Sequence, residues 1–411
     1  MTDRPLSGIE TSMGNIGSLK NDFLGICVPL TYYFCIVPDV VESKKSYYSV
    51  YTVFIYLVAV VFHGCQLIKL CQLLMEEDMI WDEIIRNYTI TSFHCFALIK
   101  CLFFRGKVVS EIFKKIIKYE KDVYKSDNQD LKSLYNSALA SARNTRTYYL
   151  GGIVLVIIFY IIASALEEPY YVQKGNETVI VPRLPLSSWT PWDDSSMLSF
   201  AGSSLTGTYL CVFFVSADMT SYSLVLFGIC QIKILRHYIS HFARYSKEIQ
   251  RTRGRSKRDS CRLHQRKCLI IHQEIISYVK DLNSVLKSVM LLDFVPSSVQ
   301  LAGVIYQMML NFNIIQGILV GQFVCTLIAR IFVYCNSANE LCVHSLTVAD
   351  AWYEIDWVEL PSDVKRNILI SIARSQRPLC IGIGNFQNIS LETFLVILKG
   401  AYSYMMLLTT T

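Results

Sequence analysis

Apolar residues gather along this chain into seven runs, at 50–73, 88–104, 148–166, 197–217, 290–310, 313–333 and 391–408, separated by polar, mostly charged stretches. Each approaches or exceeds the roughly 20 residues with which an α-helix crosses the hydrocarbon of a bilayer. The pattern predicts an all-α membrane protein with seven transmembrane helices. The fourth reads as continuous from Met197 to beyond Ile234, about 55 Å at the helical rise and much longer than a bilayer. The fourth to sixth helices are therefore predicted to extend into the cytosol and to pack there with the 361–374 segment. Phe23 to Val37, punctuated by Pro29 and Pro38, is too short to span, and is predicted to lie at the inner membrane surface. The last run, Leu391 to Leu408, would rise about 27 Å as a helix. Ser390 is placed to cap it, and Glu392 falls in its first turn, where the helix dipole favours an anion. Along it Lys399, Ser403, Met406 or Leu407, and Thr410 just beyond its end recur at helical spacing as a partly polar stripe. One such helix cannot enclose a pore; copies from several subunits can.

Composition agrees with this class. Hydrophobic residues make up 52% of the chain and charged ones 18%, with mean hydropathy +0.35. The first ~22 residues are polar, and no secretory signal is read in them. Charge sets the orientation. Residues 105–146 carry ten Lys/Arg against five Asp/Glu, and 233–267 carry twelve against two. Residues 75–86 hold five acids against one base, and 167–195 five against two. By the positive-inside rule the basic loops are cytoplasmic, the N-terminus inside and the C-terminus extracellular. The net charge of +6 is then a topology signal and not a nucleic-acid footprint, since the basic loops lack interleaved aromatics for base stacking. This orientation is opposite to that of a G-protein-coupled receptor, and neither Asp-Arg-Tyr after the third helix nor Asn-Pro-x-x-Tyr in the seventh is present.

The chain divides into a cytoplasmic N-terminal segment (1–48), four transmembrane helices on the ligand-binding side (49–232), a basic cytosolic loop with helix extensions (233–283), two further spans (284–340), a cytosolic anchor segment (341–389) and a final helix (390–411). Asn176-Glu177-Thr178 is a glycosylation acceptor sequence in a loop placed outside. None of the fourteen cysteines falls in either long external loop, so they read as small buried hydrophobes and not as a disulfide framework. Cys261, His264, Cys268 and His272 resemble zinc ligands but spread over about 16 Å of one helix face, too far for one tetrahedral ion. No metal or other cofactor is predicted. Asp218, Lys287, Asp293 and Arg330 interrupt apolar helices near their cytoplasmic ends, and pairing within the bundle is the reading preferred over a role in conduction.

The outer halves of the helices differ in character. Tyr88, Ser92 and Phe93 on the second, Val154, Ile158 and Ile161 on the third, and Thr208 and Val212 on the fourth combine with Ile315 and Leu319 on the sixth. Tyr306 ends the fifth nearby. Together they give an aromatic and aliphatic lining with few hydroxyls, suited to a small, apolar, uncharged molecule. The competing reading is ordinary helix packing. His94 reads as an interior histidine satisfied within the bundle, with ligand contact as its alternative. Trp352, Tyr353, Trp357 and Leu360 mix aromatics with acids as an assembly surface does.

A set of motifs in the last sixty residues narrows this further. Ala351-Trp352-Tyr353-Glu354, Trp357, Leu360-Pro361, Arg374-Ser375-Gln376-Arg377-Pro378, Ile389-Ser390-Leu391-Glu392-Thr393-Phe394 and Ala401-Tyr402-Ser403-Tyr404 occur in that order. This ordered series resembles the C-terminal signature of insect odorant receptors. The resemblance implies a tuning subunit of an odorant-gated, non-selective cation channel in the plasma membrane of olfactory sensory neurons. It implies assembly with an odorant co-receptor into a tetramer through a cytosolic anchor, the last helix of each subunit lining one pore. Leu407 matches the position where that family narrows its pore with apolar side chains, a ring that can block ions by dewetting. Thr411 stands where the resemblance implies a second apolar residue, and Lys399 is placed in a wider inner vestibule or snorkelling toward the cytosol. The short basic loop between the fourth and fifth helices argues against the co-receptor itself, which carries a large insertion there. An insect gustatory receptor is the nearest alternative, but those typically end in Thr-Tyr followed by a Gln-Phe pair that this chain lacks. A membrane-embedded enzyme is the alternative from another class. Neither a nucleophile elbow, nor a Gly-rich phosphate loop, nor paired intramembrane acids facing a His supports it, and no enzymatic activity is predicted.

Overall fold

The apolar runs fold as long helices. The computed structural model describes residues 22–37, 45–76, 81–166, 169–174, 177–181, 184–192, 196–310 and 314–410. In chain order the elements begin with α1 (Cys27–Tyr33), α2 (Lys45–Met75), α3 (Trp81–Phe104), α4 (Lys107–Lys125) and α5 (Gln129–Leu166). A hairpin of β1 (Tyr170–Lys174) and β2 (Glu177–Val181) precedes α6 (Met197–Ser240), α7 (Phe242–Arg253), α8 (Lys257–Leu310) and α9 (Ile314–Tyr353). Then come α10 (Ser362–Ser375), a short hairpin of β3 (Gly382–Ile383) and β4 (Gln387–Asn388), and α11 (Leu391–Thr410). Among the described residues five stretches are long and apolar enough to cross a membrane: Tyr48–Met75, Gln129–Leu166, Met197–Ser240, Lys257–Ile305 and Val320–Tyr353. The other two expected spans form α3 and α11, which are shorter and carry Arg86 and Lys100, and Glu392 and Lys399, respectively.

Burial explains the arrangement. The most apolar window of α6 is 83% buried, whereas those of α2 and α5 are only 11% buried. Thus α6 is the central post and α2 and α5 present apolar faces outward, as helices against lipid do. α6 packs on α9, α8, α5 and α3. Gly228 lets its neighbours come close: an added Cβ there would stand 3.2 Å from Leu341 on α9 and 3.4 Å from the Tyr278 ring on α8. The Tyr278 hydroxyl of α8 donates to Leu224 O of α6 at 2.7 Å.

The stretch before the first span departs from expectation. Phe23, Leu24, Cys27 and Val28 are inside the bundle instead of on a surface. The Phe23 ring meets Phe227 edge-on at 5.4 Å, Glu120 accepts from the Asp22 and Phe23 N–H groups, and Arg146 donates to Phe23 O. Apolar length alone could not reveal this, because the receiving groups lie about 100 residues away. Between α3 and α5, the basic 105–146 stretch forms the amphipathic α4. Its apolar face, Val109, Ile112, Phe113, Ile116 and Val123, is buried at helical spacing.

The extensions of α8 and α9 pack with α7 and α10 in a second helical layer. The β3–β4 hairpin straps the start of α11 to α8: Gly384, at φ +55°, donates its N–H to Lys287 O at 2.7 Å, and Gly382 N–H donates to Asn283 Oδ1 at 2.8 Å. Positive φ is why glycine stands at 384. Lys287, expected among the buried charges, instead reaches Asn385 on this hairpin. The reading of every cysteine as an unpaired hydrophobe also needs correction. Cys342 on α9 and Cys380 are joined as a disulfide across a Cα separation of 4.9 Å. A spacing of 38 residues gave no sign that these two segments meet.

Candidate functional site

Residues at spacings of three and four from α3, α5 and α6 line a cavity of about 120 Å³. Ile90, Phe93 and His94 come from α3, Val156, Ile157, Tyr160 and Ile161 from α5, and Ser203, Ser204, Gly207, Thr208 and Cys211 from α6. Phe323 of α9 closes one side, and Pro185 and Leu186 come from the segment ahead of α6. Leu184 to Ser188 are all buried. They are stitched down by α3, since Arg86 Nη2 donates to Leu184 O at 3.1 Å and Asn87 Nδ2 to Ser187 O at 2.7 Å. Gly207 lies beside this strap, where an added Cβ would stand at ordinary contact distance, 3.7 Å, from the Leu186 side chain. A dry cavity on the order of 150 Å³ accommodates benzene, so this one suits a ligand of about that size. The α6 hydroxyls are already engaged. Ser203 and Ser204 donate to Phe200 O, and Thr208 donates to Ser204 O.

Three of the residues predicted for a pocket are brought together here, namely Phe93, Ile161 and Thr208. Others are not. Tyr88, Val154 and Ile158 are 48%, 53% and 46% exposed on the outside of the bundle. Ser92 turns toward α8, donating to Thr89 O and accepting from Gln300 Nε2 at 3.0 Å. Val212 is half-buried and is not among the lining residues. The side chains of Tyr306, Ile315 and Leu319 lie outside the described residues, as do Asn176 and Thr411.

The final helix starts as predicted. Ser390 Oγ accepts the Thr393 N–H, and Thr393 Oγ1 accepts the Ser390 N–H in return. Thr393, Ile397 and Ala401 are buried against the bundle, with Phe394 edge-on to Phe332 of α9 at 5.5 Å. Lys399, Ser403 and Leu407 lie on the exposed side; Leu407 is 61% exposed. Ser403 donates to Lys399 O. The helix thus has one face packed on the rest of the bundle and another, Lys399–Ser403–Leu407, turned away from it.

The family model described as 7tm odorant receptor matches residues 81–402. The chain belongs to the odorant receptor family. It is 31% identical over 183 residues to odorant receptor Or2 of Anopheles gambiae, covering 44% of this chain and 48% of that one. With odorant receptor 10 of Aedes albopictus it shares 30% over 198 residues, 48% and 51% of the two chains. The chain thus spans about half the length of these curated relatives. The solved olfactory receptor OR5 of Machilis hrabei, in complex with eugenol, shares its fold at TM-score 0.68 and 15% identity, over 94% of this chain and 96% of that one. Family membership and the apolar helices make the receptor a multi-pass membrane protein.

Beside the cavity lies a closed ring of buried charge that the sequence only half disclosed. Lys100 Nζ is 2.5 Å from both Asp218 and Asp293, and Arg330 is 2.6 Å from Asp218 and 2.9 Å from Asp293. All four side chains are at most 5% exposed. Two cations and two anions from α3, α6, α8 and α9 cancel. Tyr149 also donates to Asp218 at 3.0 Å. Lys100 was missed because it lies near the end of an apolar run, where a lysine can snorkel unnoticed. Phe93 connects ring and cavity: its ring centroid is 3.7 Å from that of Phe214, and the Arg330 guanidinium is 5.4 Å from Phe93 and 4.8 Å from Phe214.

In the second layer, the aromatic cluster divides by direction. Trp352 is 1% exposed and faces Phe242 of the receptor's own core, so its indole is not on the surface where assembly was expected. Position 352 falls on the face of α9 turned toward Phe242 of α7, a phase the mixed aromatic-acidic composition did not fix. Tyr353 is 74% exposed, and Trp357 donates Nε1–H to Tyr353 O at 3.0 Å. The α10 start is held by Lys257–Glu359 at 2.6 Å, Arg258–Asp363 at 3.3 Å and an Arg262–Asp363 contact. The Arg262 hydrogen bond holds the Asp363 carboxyl below its usual range. His264 meets Tyr238 O at 3.0 Å, and its burial pushes the imidazole down to about 4. Among the described residues no group of three or more His, Cys, Asp or Glu is placed to hold a metal ion.

Proposed function

We propose that this odorant receptor is the tuning subunit of a ligand-gated, non-selective cation channel. A small neutral volatile binds in the cavity between α3, α5, α6 and α9. The α11 helices of this chain and of odorant co-receptor subunits surround one pore in a heterotetramer. The receptor sits in the plasma membrane of olfactory sensory neurons, its N-terminus in the cytosol and the second helical layer forming the cytosolic anchor. The observation that carries this reading is the cavity between these helices, with apolar walls and no charged side chain among its lining residues. Such a site disfavours an ionic ligand, whose desolvation nothing there offsets. The exposed stripe of Lys399, Ser403 and Leu407 supports a pore-facing role. Tyr353 and Trp357 are placed to meet a neighbouring subunit.

The test is to express the receptor with and without an odorant co-receptor and record currents across a panel of neutral volatiles, amines and amino acids. Currents evoked by neutral volatiles only in the co-expressed pair are expected, abolished by Gly207→Trp, which fills the cavity. Potent activation by amines or amino acids without activation by neutral volatiles would refute the ligand reading. Ligand-gated current from the receptor alone would refute the assembly reading.

A further inference from the structure

We propose that His94 is the polar recognition group of the ligand cavity, and that its Nε2 hydrogen-bonds the single heteroatom of an otherwise apolar volatile. This rests on the cavity being the ligand site. His94 is 5% exposed yet lines the cavity. Its Nδ1 is taken by the Gln66 side chain of α2, whose Nε2 and Oε1 lie 2.9 and 3.0 Å away. Gln66 is itself fully buried, and its backbone carbonyl accepts from Asn87. The imidazole is therefore held in orientation by a group behind the cavity wall. Among the described residues Nε2 has no protein partner.

Other polar groups of the wall differ. The hydroxyls of Ser203, Ser204 and Thr208 direct their protons at α6 carbonyls, and Tyr160 accepts from Arg86 Nε at 3.1 Å. A buried hydrogen-bonding atom without a partner costs free energy that a matching ligand atom removes, so discrimination should concentrate at His94. The Gln66 amide can face Nδ1 as donor or acceptor. When it donates, Nε2 carries the proton and meets a carbonyl or ether oxygen; when it accepts, Nε2 meets a hydroxyl or N–H. Both cases share one heteroatom on an apolar body.

The experiment uses the complex with the co-receptor and two matched sets, ethylbenzene, acetophenone and 1-phenylethanol, and heptane, 2-heptanone and 2-heptanol. If a wider screen yields a stronger agonist, that agonist and its hydrocarbon counterpart are added. Wild type is expected to respond to an oxygenated member at a concentration about ten-fold or more below that of its hydrocarbon. His94→Phe should abolish that difference, His94→Gln should keep part of it, and Gln66→Leu should reduce it, all at matched surface expression. His94→Leu carries the same test if His94→Phe fails to reach the surface. The ketone and alcohol arms report which tautomer the site uses. Equal potency of hydrocarbon and oxygenated members in wild type overturns the proposal, as does an undiminished preference in His94→Phe when Gly207→Trp still blocks the response. A response that survives Gly207→Trp places the agonist outside the cavity, and then the ligand reading itself fails. A screen without any agonist overturns both.

Discussion

Neutralising Asp218 is expected to be among the most damaging single changes in this receptor. Its carboxylate is 2% exposed and accepts from Lys100 at 2.5 Å, Arg330 at 2.6 Å and Tyr149 at 3.0 Å. With Asp218→Asn the ring keeps Lys100 and Arg330 but only Asp293 between them, leaving one uncompensated positive charge among side chains at most 5% exposed. Removing one partner of a buried ion pair costs about 3–5 kcal/mol, set against a total stability on the order of 5–15 kcal/mol. Lys100→Met should cost a similar amount with the opposite residual charge. The double variant Asp218→Asn/Lys100→Met restores neutrality and keeps Arg330–Asp293, so it should be more stable than either single variant. The assay is thermal melting of the detergent-solubilised complex, followed by size-exclusion of the fluorescently tagged receptor, with surface biotinylation in parallel. Single variants should lose about 5–10 °C and much of their surface population. Melting of Asp218→Asn within about 2 °C of wild type, or a double variant worse than both singles, would show that the ring is not a mutually compensated unit.

Three further outcomes are expected. Leu407→Ser should raise ligand-free leak current or alter cation permeability, while Leu395→Ser, about 120° round the same helix and also exposed, should do much less; matched leak in both at equal surface expression removes Leu407 from the gate. The second helical layer should weaken in acid: burial holds His264 and His272 at about 4 against 6.5 for the ordinary side chain, so the unfolded chain binds protons that the folded one refuses. Stability is then intact above about 6.5 and falls as pH drops toward 4, by up to about 1.4 kcal/mol per pH unit per histidine; melting curves of His264→Gln/His272→Gln should slope less than wild type across that window, and identical slopes would refute the assignment. Tyr353→Ala should reduce recovery of the co-receptor in a detergent pull-down while leaving the receptor's own melting unchanged, whereas Trp352→Ala should lower melting first by opening a core void; unchanged recovery with Tyr353→Ala takes that side chain out of the interface.

Much of the fold was legible in the sequence because it follows from length and polarity. The seven apolar runs, the overlong α6 and the Ser390 cap each arise within one segment, where helical rise and capping rules suffice. The cavity was harder, for a reason specific to membranes. On α5 the outward positions Val154, Leu155, Ile158, Phe159 and Ile162 are all aliphatic or aromatic and exposed, while the cavity positions Val156, Ile157, Tyr160 and Ile161 are no more apolar. Lipid and ligand ask for the same side chains, so hydropathy could not choose the phase. The polar positions could have chosen it. Tyr160 and Ser164 both bond Arg86 on α3, which fixes the inner face of α5 one step round from the face defined by Val154 and Ile158.

The same logic explains which functional residues the sequence withheld. Lys100 and His94 share the apolar run of α3, and neither has a partner within that run to announce its role. Their partners lie on other helices: Asp218 and Asp293 are 118 and 193 residues from Lys100, and Gln66 is 28 residues from His94. In a helical membrane protein such groups seldom remain unpaired, since the surroundings offer no water to satisfy them. A polar residue in a span is therefore best treated as half of an interaction, and its function follows from whether protein supplies the other half. For Lys100 it does, and the result is a neutral buried ring that binds four helices together. For His94 the partner Gln66 engages only Nδ1, and Nε2 is the atom proposed to meet the ligand. That asymmetry, invisible in the order of residues, separates a residue that holds the receptor together from one that reads its ligand.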